Sequence, residues 1–253
     1  MKPHNFLEGK LKKIFAASTL LFFLAGCSGG YIRSKVETAI REALPNYIGP
    51  AKEYKVSVSG SSSAMMSGKV EGVHVLGTDV KVNITRPAPN GGQLEKAFLD
   101  VQEMSIDMQD IFYDMKSRTL ASVANADIKA RVTEESINRY VRETVSNGRN
   151  YTISLLPGKI EAELTASALG FSIPVRLSGR LMIANGGRVN FEPDSASMAQ
   201  IPIPKSAVNV LISRINPVLD LSTFTFPVTL EKINVTQGAM ELVGHGSYTA
   251  PKN

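Results

Sequence analysis

A hydrophobic period of two runs through this chain and leaves few architectures open to it. "YKVSVSG" places Tyr54, Val56 and Val58 at alternate positions, and "VKVNIT" does the same with Val80, Val82 and Ile84. "DIKARV", "KIEAELTASA" and "PVTLEKINV" alternate as well, the last with a one-residue slip near Lys232. Successive side chains of a strand point to opposite faces, so each segment has one apolar and one polar face. Between the segments lie turn dipeptides: Pro157-Gly158, Asn185-Gly186 and Gln237-Gly238, of which Asn-Gly favours a type I′ hairpin. Many one-sided strands joined by short turns require a large antiparallel sheet whose apolar face is covered. With 7% aromatics and no Trp, the interior must be built mainly from aliphatic side chains.

Three segments switch to a helical period. In "SKVETAIREALPNY", Val36, Ala39, Ile40, Ala43 and Leu44 share one face for about three turns until Pro45 ends the pattern. Thr133 is an N-cap for "EESINRYVRETV", where Glu134 and Glu135 complement the helix dipole and Ile137, Tyr140, Val141, Thr144 and Val145 face inward. A third helix carries Val208, Leu211, Ile212 and Ile215, after an "IPIP" approach that prolines hold extended. "GKVEGVHV" at 68–75 echoes "GKIEAELT" at 158–165, each after a helix and a short strand. The echo fits an order of elements used twice; two hairpins with the same turn chemistry would look alike.

The N-terminus has a separate logic. Lys2, Lys10, Lys12 and Lys13 form a basic region before the apolar run 14–25, which is shorter than the roughly 20 residues a spanning helix needs. It suits a secretory signal. The run ends in Leu24-Ala25-Gly26-Cys27, which resembles a bacterial lipobox. Residues 1–26 are therefore expected to be a signal peptide, 27–30 a lipidated linker and 31–250 one domain. Cys27, the single cysteine, is the lipid-attachment residue and has no disulfide partner. The expected location is the bacterial cell envelope, on the extracytoplasmic side of a membrane, with the outer membrane as one destination.

Charge excludes a nucleic-acid partner. The net charge is +5, but residues 1–26 hold four lysines against Glu8, and the rest of the chain carries 24 basic and 22 acidic residues. No concentrated basic run follows Cys27 to capture a phosphate backbone.

The segments "VEGVHVLGTDVKVNI", "VTEESINRYVRE", "ISLLPGKIEAELTASALGFSIPVRLSGRL" and "PVLDLSTFTFPVTLEKINVTQGAMELVGHG" resemble the LmeA-like proteins over most of residues 31–248. The resemblance implies a TULIP-related α+β fold: a large curved antiparallel sheet wrapped around amphipathic helices, in a single domain, leaving an apolar groove. It implies phospholipid binding at the envelope, and a phospholipase activity is attributed to the mycobacterial member. No catalytic motif comes with the family. Candidate groove residues are Ile137, Val141, Phe171, Val208, Leu211, Ile212, Ile215, Phe224 and Phe226; ordinary core packing is the alternative, and for the phenylalanines the commoner one.

Catalytic chemistry is sparse. "GxSxG" does not occur, so there is no nucleophile elbow. Beyond the leader the histidines are His74 and His245, which with Ser247 or a serine of "SGSSSAMMSG" are the candidates for a hydrolytic set assembled in space. No metal is expected from two histidines. Asp100, Glu103, Asp107, Asp110 and Asp114, spaced by three and four, would line a helix as a solvated stripe. Met65 and Met66 stand in a polar loop that is either a mobile hairpin tip or a bilayer-dipping one. Three functions follow: a tethered binder of phospholipid or fatty acid with no cofactor, a phospholipid hydrolase, and a structural adaptor whose protein partners the residues do not specify.

Overall fold

The computed structural model describes residues 29–86, 95–114, 116, 119–144, 151–168, 171–185, 187–212, 216–221 and 228–250. The chain opens with α1 (Gly29–Tyr47), β1 (Ala51–Ser59), α2 (Ser62–Met66), β2 (Lys69–Arg86), β3 (Glu95–Asp114) and β4 (Thr119–Thr133). It continues with α3 (Glu134–Thr144), β5 (Tyr151–Leu156), β6 (Lys159–Ala168), β7 (Phe171–Ala184) and β8 (Arg188–Met198). The last elements are β9 (Ile201–Pro202), α4 (Lys205–Ile212), β10 (Leu219–Asp220), β11 (Val228–Thr236) and β12 (Ala239–Thr249).

The fold is α+β, and its antiparallel strands form two open sheets. The first has the order β1-β2-β3-β4-β12-β11; the second runs β10-β8-β7-β6-β5, with β9 paired to β8. The sequence echo has a structural counterpart. Each sheet contains a four-strand meander that follows a helix, α1 before β1–β4 and α3 before β5–β8. Gly68 and Gly158 take φ of 86° and 70° just before the first lysine of β2 and β6. The final hairpin, β11–β12, then returns to pair with β4.

Hairpin chemistry is where the residues place it, with one correction. Gly158 and Gly238 (φ 72°) supply the left-handed position of their turns. At β7–β8 the register joins Ala184 to Arg188, so the loop has three residues, and Gly187 (φ 75°) takes the left-handed position. Asn185 is not left-handed, whereas a type I′ turn needs positive φ at both central residues. The slip at Lys232 is a bulge in the β11–β12 register between Leu230 and Lys232.

The acidic residues from Asp100 to Asp114 lie on strand β3, not on a helix. Their irregular spacing has a physical cause. Burial alternates on odd positions at Leu99 and Val101, and on even positions from Met104 to Met108. Pairing of β2 with β3 lapses at Asp79 and Asp110, both at φ 50°, and each lapse shifts the alternation by one. The β2–β3 register is continuous across both lapses, so the buried side changes parity without a bulge in strands of 18 and 20 residues. A stripe on one face of a strand whose alternation shifts in this way mimics helical spacing.

The helices also depart from the periodicity. Helix α1 begins at Gly29 and runs through Pro45 to Tyr47, because Val36, Ile40 and Leu44 pack on the core and outweigh the one N–H that proline lacks. The Met65–Met66 loop is a short helix capped by Ser61, whose Oγ accepts from Ala64 N–H at 3.2 Å; Met65 is buried and Met66 exposed. Thr133 does cap α3, accepting from Ser136 N–H at 3.2 Å. The "IPIP" approach is extended, as β9 and the two residues after it.

Side chains close the sheet edges. Asn138 of α3 pairs with edge strand β5 as a neighbouring strand would: its Nδ2 donates to the Ile153 carbonyl (2.7 Å) and its Oδ1 accepts from Ile153 N–H (2.8 Å). Glu134 accepts from Leu155 N–H at 2.7 Å. Asn216 makes the same two-way contact with Phe191 of β8, at 2.9 and 3.0 Å, and Glu37 of α1 accepts from Val58 N–H of β1 at 3.1 Å. The sheets meet where Gly238 N–H donates to Leu155 O (3.0 Å) and Gly158 N–H donates to Val235 O (2.9 Å).

The α1–β1 corner is held by Tyr54, whose buried hydroxyl donates to Gly49 O at 2.8 Å. Gly49 (φ 137°) lies so close to β2 that a Cβ would stand 1.9 Å from Lys81 O. Burial pushes the Tyr54 phenol up to about 12 from 10.0. The unfolded chain therefore loses this proton first, and the stabilisation is intact below pH 10 and lost from there to about 12. Tyr54→Phe should flatten that alkaline decline in the urea midpoint. Asn138→Ala should cost about 2–3 kcal/mol in urea unfolding, since it leaves Ile153's backbone groups without their partner.

Candidate functional site

The interior is one apolar cluster drawn from both sheets and the helices. The first sheet contributes Val75, Val80, Val101 and Val132, the second Leu155, Leu177, Val189 and Phe191. Alternation on the strands puts these side chains inward, and α4 adds Val208 and Ile212, both buried. Ile137 of α3 is half-buried against the cluster, and Val141 is half-buried. Leu211 and Phe171 belong to α4 and β7, with their side chains outside the described residues; Ile215, Phe224, Phe226 and Cys27 lie wholly outside them. Buried polar groups are few among the described residues: beside the Tyr54 hydroxyl and Ser178 Oγ, Ser136 is buried and its hydroxyl meets Thr133 Oγ1 at 2.9 Å. Such an interior offers hydrocarbon contacts and no internal charge. Met65, Met104 and Met240 add flexible, polarizable side chains that adapt to irregular shapes.

The polar chemistry lies on the opposite face of the first sheet. Strand register sets Ser57, His74, Asp107, Asp127, His245 and Thr229 in one cross-strand row. His74 Nδ1 is hydrogen-bonded to Asp107 Oδ1, and His245 Nδ1 meets Glu231 Oε1 at 2.9 Å. Ser247 lies two positions beyond His245 on the same strand and is exposed, but among the described residues no hydrogen bond joins the two. The structure thus gives each candidate histidine a carboxylate partner and neither a serine. Ser57 was not singled out by the sequence; only the β1–β2 register sets it opposite His74. Side-chain exposures are 42% and 51% for His74 and Asp107, and 47% and 56% for His245 and Glu231. Water reaches both pairs, so neither has the dry, preorganised setting that makes an acid–base group effective.

Concavities among the described residues are open and largely polar. One of about 390 Å³ lies over Ser57, Ser59, Glu71, His74 and Asp107. Another, of about 600 Å³, is lined by Arg41, Lys52, Glu53, Tyr54, Lys55 and Val56. Elsewhere on the surface Arg139 bonds Glu135 (3.0 Å) and Asp100 (2.6 Å). Its guanidinium pKa is raised, first by the Glu135 hydrogen bond and then by Asp100, and the pair with Asp100 fixes α3 against β3. Among the described residues no three His, Cys, Asp or Glu side chains are grouped to hold a metal ion, and no helix is long and apolar enough to cross a membrane.

One-sided sheets around an apolar interior, with the ionisable groups outside, make an α+β domain with an aliphatic core. Residues 28–245 match the family model of LmeA-like phospholipid-binding proteins. The chain belongs to that family. No curated protein and no solved structure matches it.

Exposed ion pairs contribute about 0–1 kcal/mol. Replacing both His74 and His245 with Ala should therefore change the urea unfolding free energy by no more than about 1–2 kcal/mol. Phospholipid binding by the double variant, measured by fluorescent-lipid titration, should match that of the parent chain.

Proposed function

We propose that this protein is an envelope lipoprotein that is tethered to a membrane through acylated Cys27 and holds phospholipid acyl chains in its apolar interior. The family match over residues 28–245 carries the proposal. Alternation supports it physically: strands of both sheets and helix α4 turn aliphatic side chains toward one space, which is the environment an acyl chain needs. Val208, Ile212, Ile137 and Val141 are the described groove residues in this reading; Leu211, Ile215, Phe171, Phe224 and Phe226 complete the candidate set. The ligand is a phospholipid or fatty acid, and no metal or organic cofactor is required.

The tether follows from the signal peptide and the lipobox. Each buried CH₂ is worth about 0.8 kcal/mol, and a single acyl chain gives only marginal membrane attachment. A lipoprotein cysteine carries two or three chains, which keeps the domain on the extracytoplasmic side of its membrane, the outer membrane being one such place. Cys27→Ala should move the protein from the membrane to the soluble fraction.

Lipid binding is tested by extracting the purified protein into organic solvent and measuring co-purifying phospholipid by mass spectrometry, alongside uptake of a fluorescent phospholipid. Val208→Trp, which fills interior volume, should reduce uptake at least about tenfold while far-UV circular dichroism keeps its sheet signal. No extracted lipid and no uptake by the parent chain would leave a structural adaptor as the better account. Fatty-acid release abolished by His74→Ala would instead favour a hydrolase built on the Ser57–His74–Asp107 row.

A further inference from the structure

We infer that the β8–β9 hairpin tip, Met198 to Ile201, is a bilayer-contact element that enters the headgroup region of a phospholipid membrane. The inference rests on the phospholipid-binding reading above and adds the surface through which lipid is reached.

Its starting point is backbone strain. Met198 pairs with Ile201 across a two-residue turn, and Ala199 and Gln200 both take positive φ, 47° and 69°. Glycine or asparagine would adopt this turn readily, whereas Ala and Gln adopt it at a cost. The turn is held in place by Ala199 N–H, which donates to Pro174 O of β7 at 2.9 Å, and by Ile203 N–H, which donates to Ala196 O at 3.0 Å. Beside that turn stand two exposed apolar side chains. Ile201 is 70% exposed and Met198 45%, and Ile201 is the most exposed of the large hydrophobic side chains described.

The surroundings favour a lipid surface over a protein partner. Pro202 and Pro204 remove N–H donors from the short outer strand and its continuation, which disfavours pairing with an added strand. Charge near the tip has one sign to spare. Glu163 and Asp194 on the neighbouring strands already bond Arg176 and Arg180, both at 3.3 Å. Lys205, exposed at the start of α4, has no ion-pair partner among the described residues. An apolar apex followed four residues later by an exposed lysine is a pattern that sinks its tip to the boundary between headgroups and acyl chains while the ammonium meets lipid phosphate.

The absence of Trp from the chain makes the test direct. Ile201→Trp in the full chain is a single fluorophore at the apex, to be read in vesicles of phosphatidylcholine and phosphatidylglycerol with brominated acyl chains. Blue-shifted emission quenched by the bromines is the expected result. Emission that stays solvent-like and unquenched overturns the inference. So does a blue shift that appears without vesicles and grows with protein concentration, which would assign the tip to a second copy of this chain.

In the parent background, Met198→Asp with Ile201→Asp should slow phospholipid pick-up from vesicles at least about tenfold, and uptake of a monomeric short-chain phospholipid should be unchanged. Lys205→Gln should weaken association roughly fivefold on vesicles containing phosphatidylglycerol and leave phosphatidylcholine vesicles unaffected. Failure of short-chain uptake by the parent chain would count against the interior as a lipid site, whereas the fluorescence of the Ile201→Trp variant decides the tip alone.

Discussion

A small hydrogen-bonded seam at the start of α3 governs how the two sheets are placed. Two sheets with apolar inner faces gain by burying them together, but each sheet ends in strands whose backbone groups need partners. Asn138 and Glu134 supply them for β5, and the turns at Gly158 and Gly238 bond across to Val235 and Leu155. Glu134 N–H in turn donates to Gly238 O at 2.9 Å, which ties the end of β4, the start of α3 and the β11–β12 turn into one joint. Without that joint the apolar faces could still collapse, but these directional bonds would no longer hold one sheet in place against the other. Buried or edge backbone groups are directional, while hydrophobic burial is not.

From this seam the division of the molecule follows. Shifts of the alternation at Asp79 and Asp110 let strands of 18 and 20 residues keep aliphatic side chains inward over their length. Polar residues are then swept to the outer face, where His74, Asp107, Asp127 and His245 come into one row. The interior is left with hydrocarbon contacts, and the chemistry that could move protons stays in water. The chain belongs to a family of phospholipid-binding proteins, and the alternation that folds its sheets is also what makes its interior hydrocarbon.

Much of the fold is legible in the residues themselves. Tyr54, Val56 and Val58 on β1, or Val80, Val82 and Ile84 on β2, announce their strand and its buried face by local periodicity. Thr133 announces a helix start, and the Leu230–Lys232 bulge shows as a slip in the pattern. Less of the candidate site is legible. The acidic residues of β3 look helical because shifts in the strand's alternation imitate a period of three to four, and Ser57 meets His74 only through register. Asn138 and Asn216 look like ordinary helix and loop polar residues; their work on Ile153 and Phe191 is done 15 and 25 residues away.

Local sequence is enough to specify the elements, which faces of them are apolar, and where the chain turns, because these are properties of neighbours two to four residues apart. Other features belong to the folded chain alone: that the strands divide into two sheets, that side-chain amides close their edges, that histidines acquire carboxylates, and that Met198 and Ile201 stand at an apex. Each of those depends on hydrogen-bond partners or exposure set by residues distant in the chain, and no local pattern encodes them.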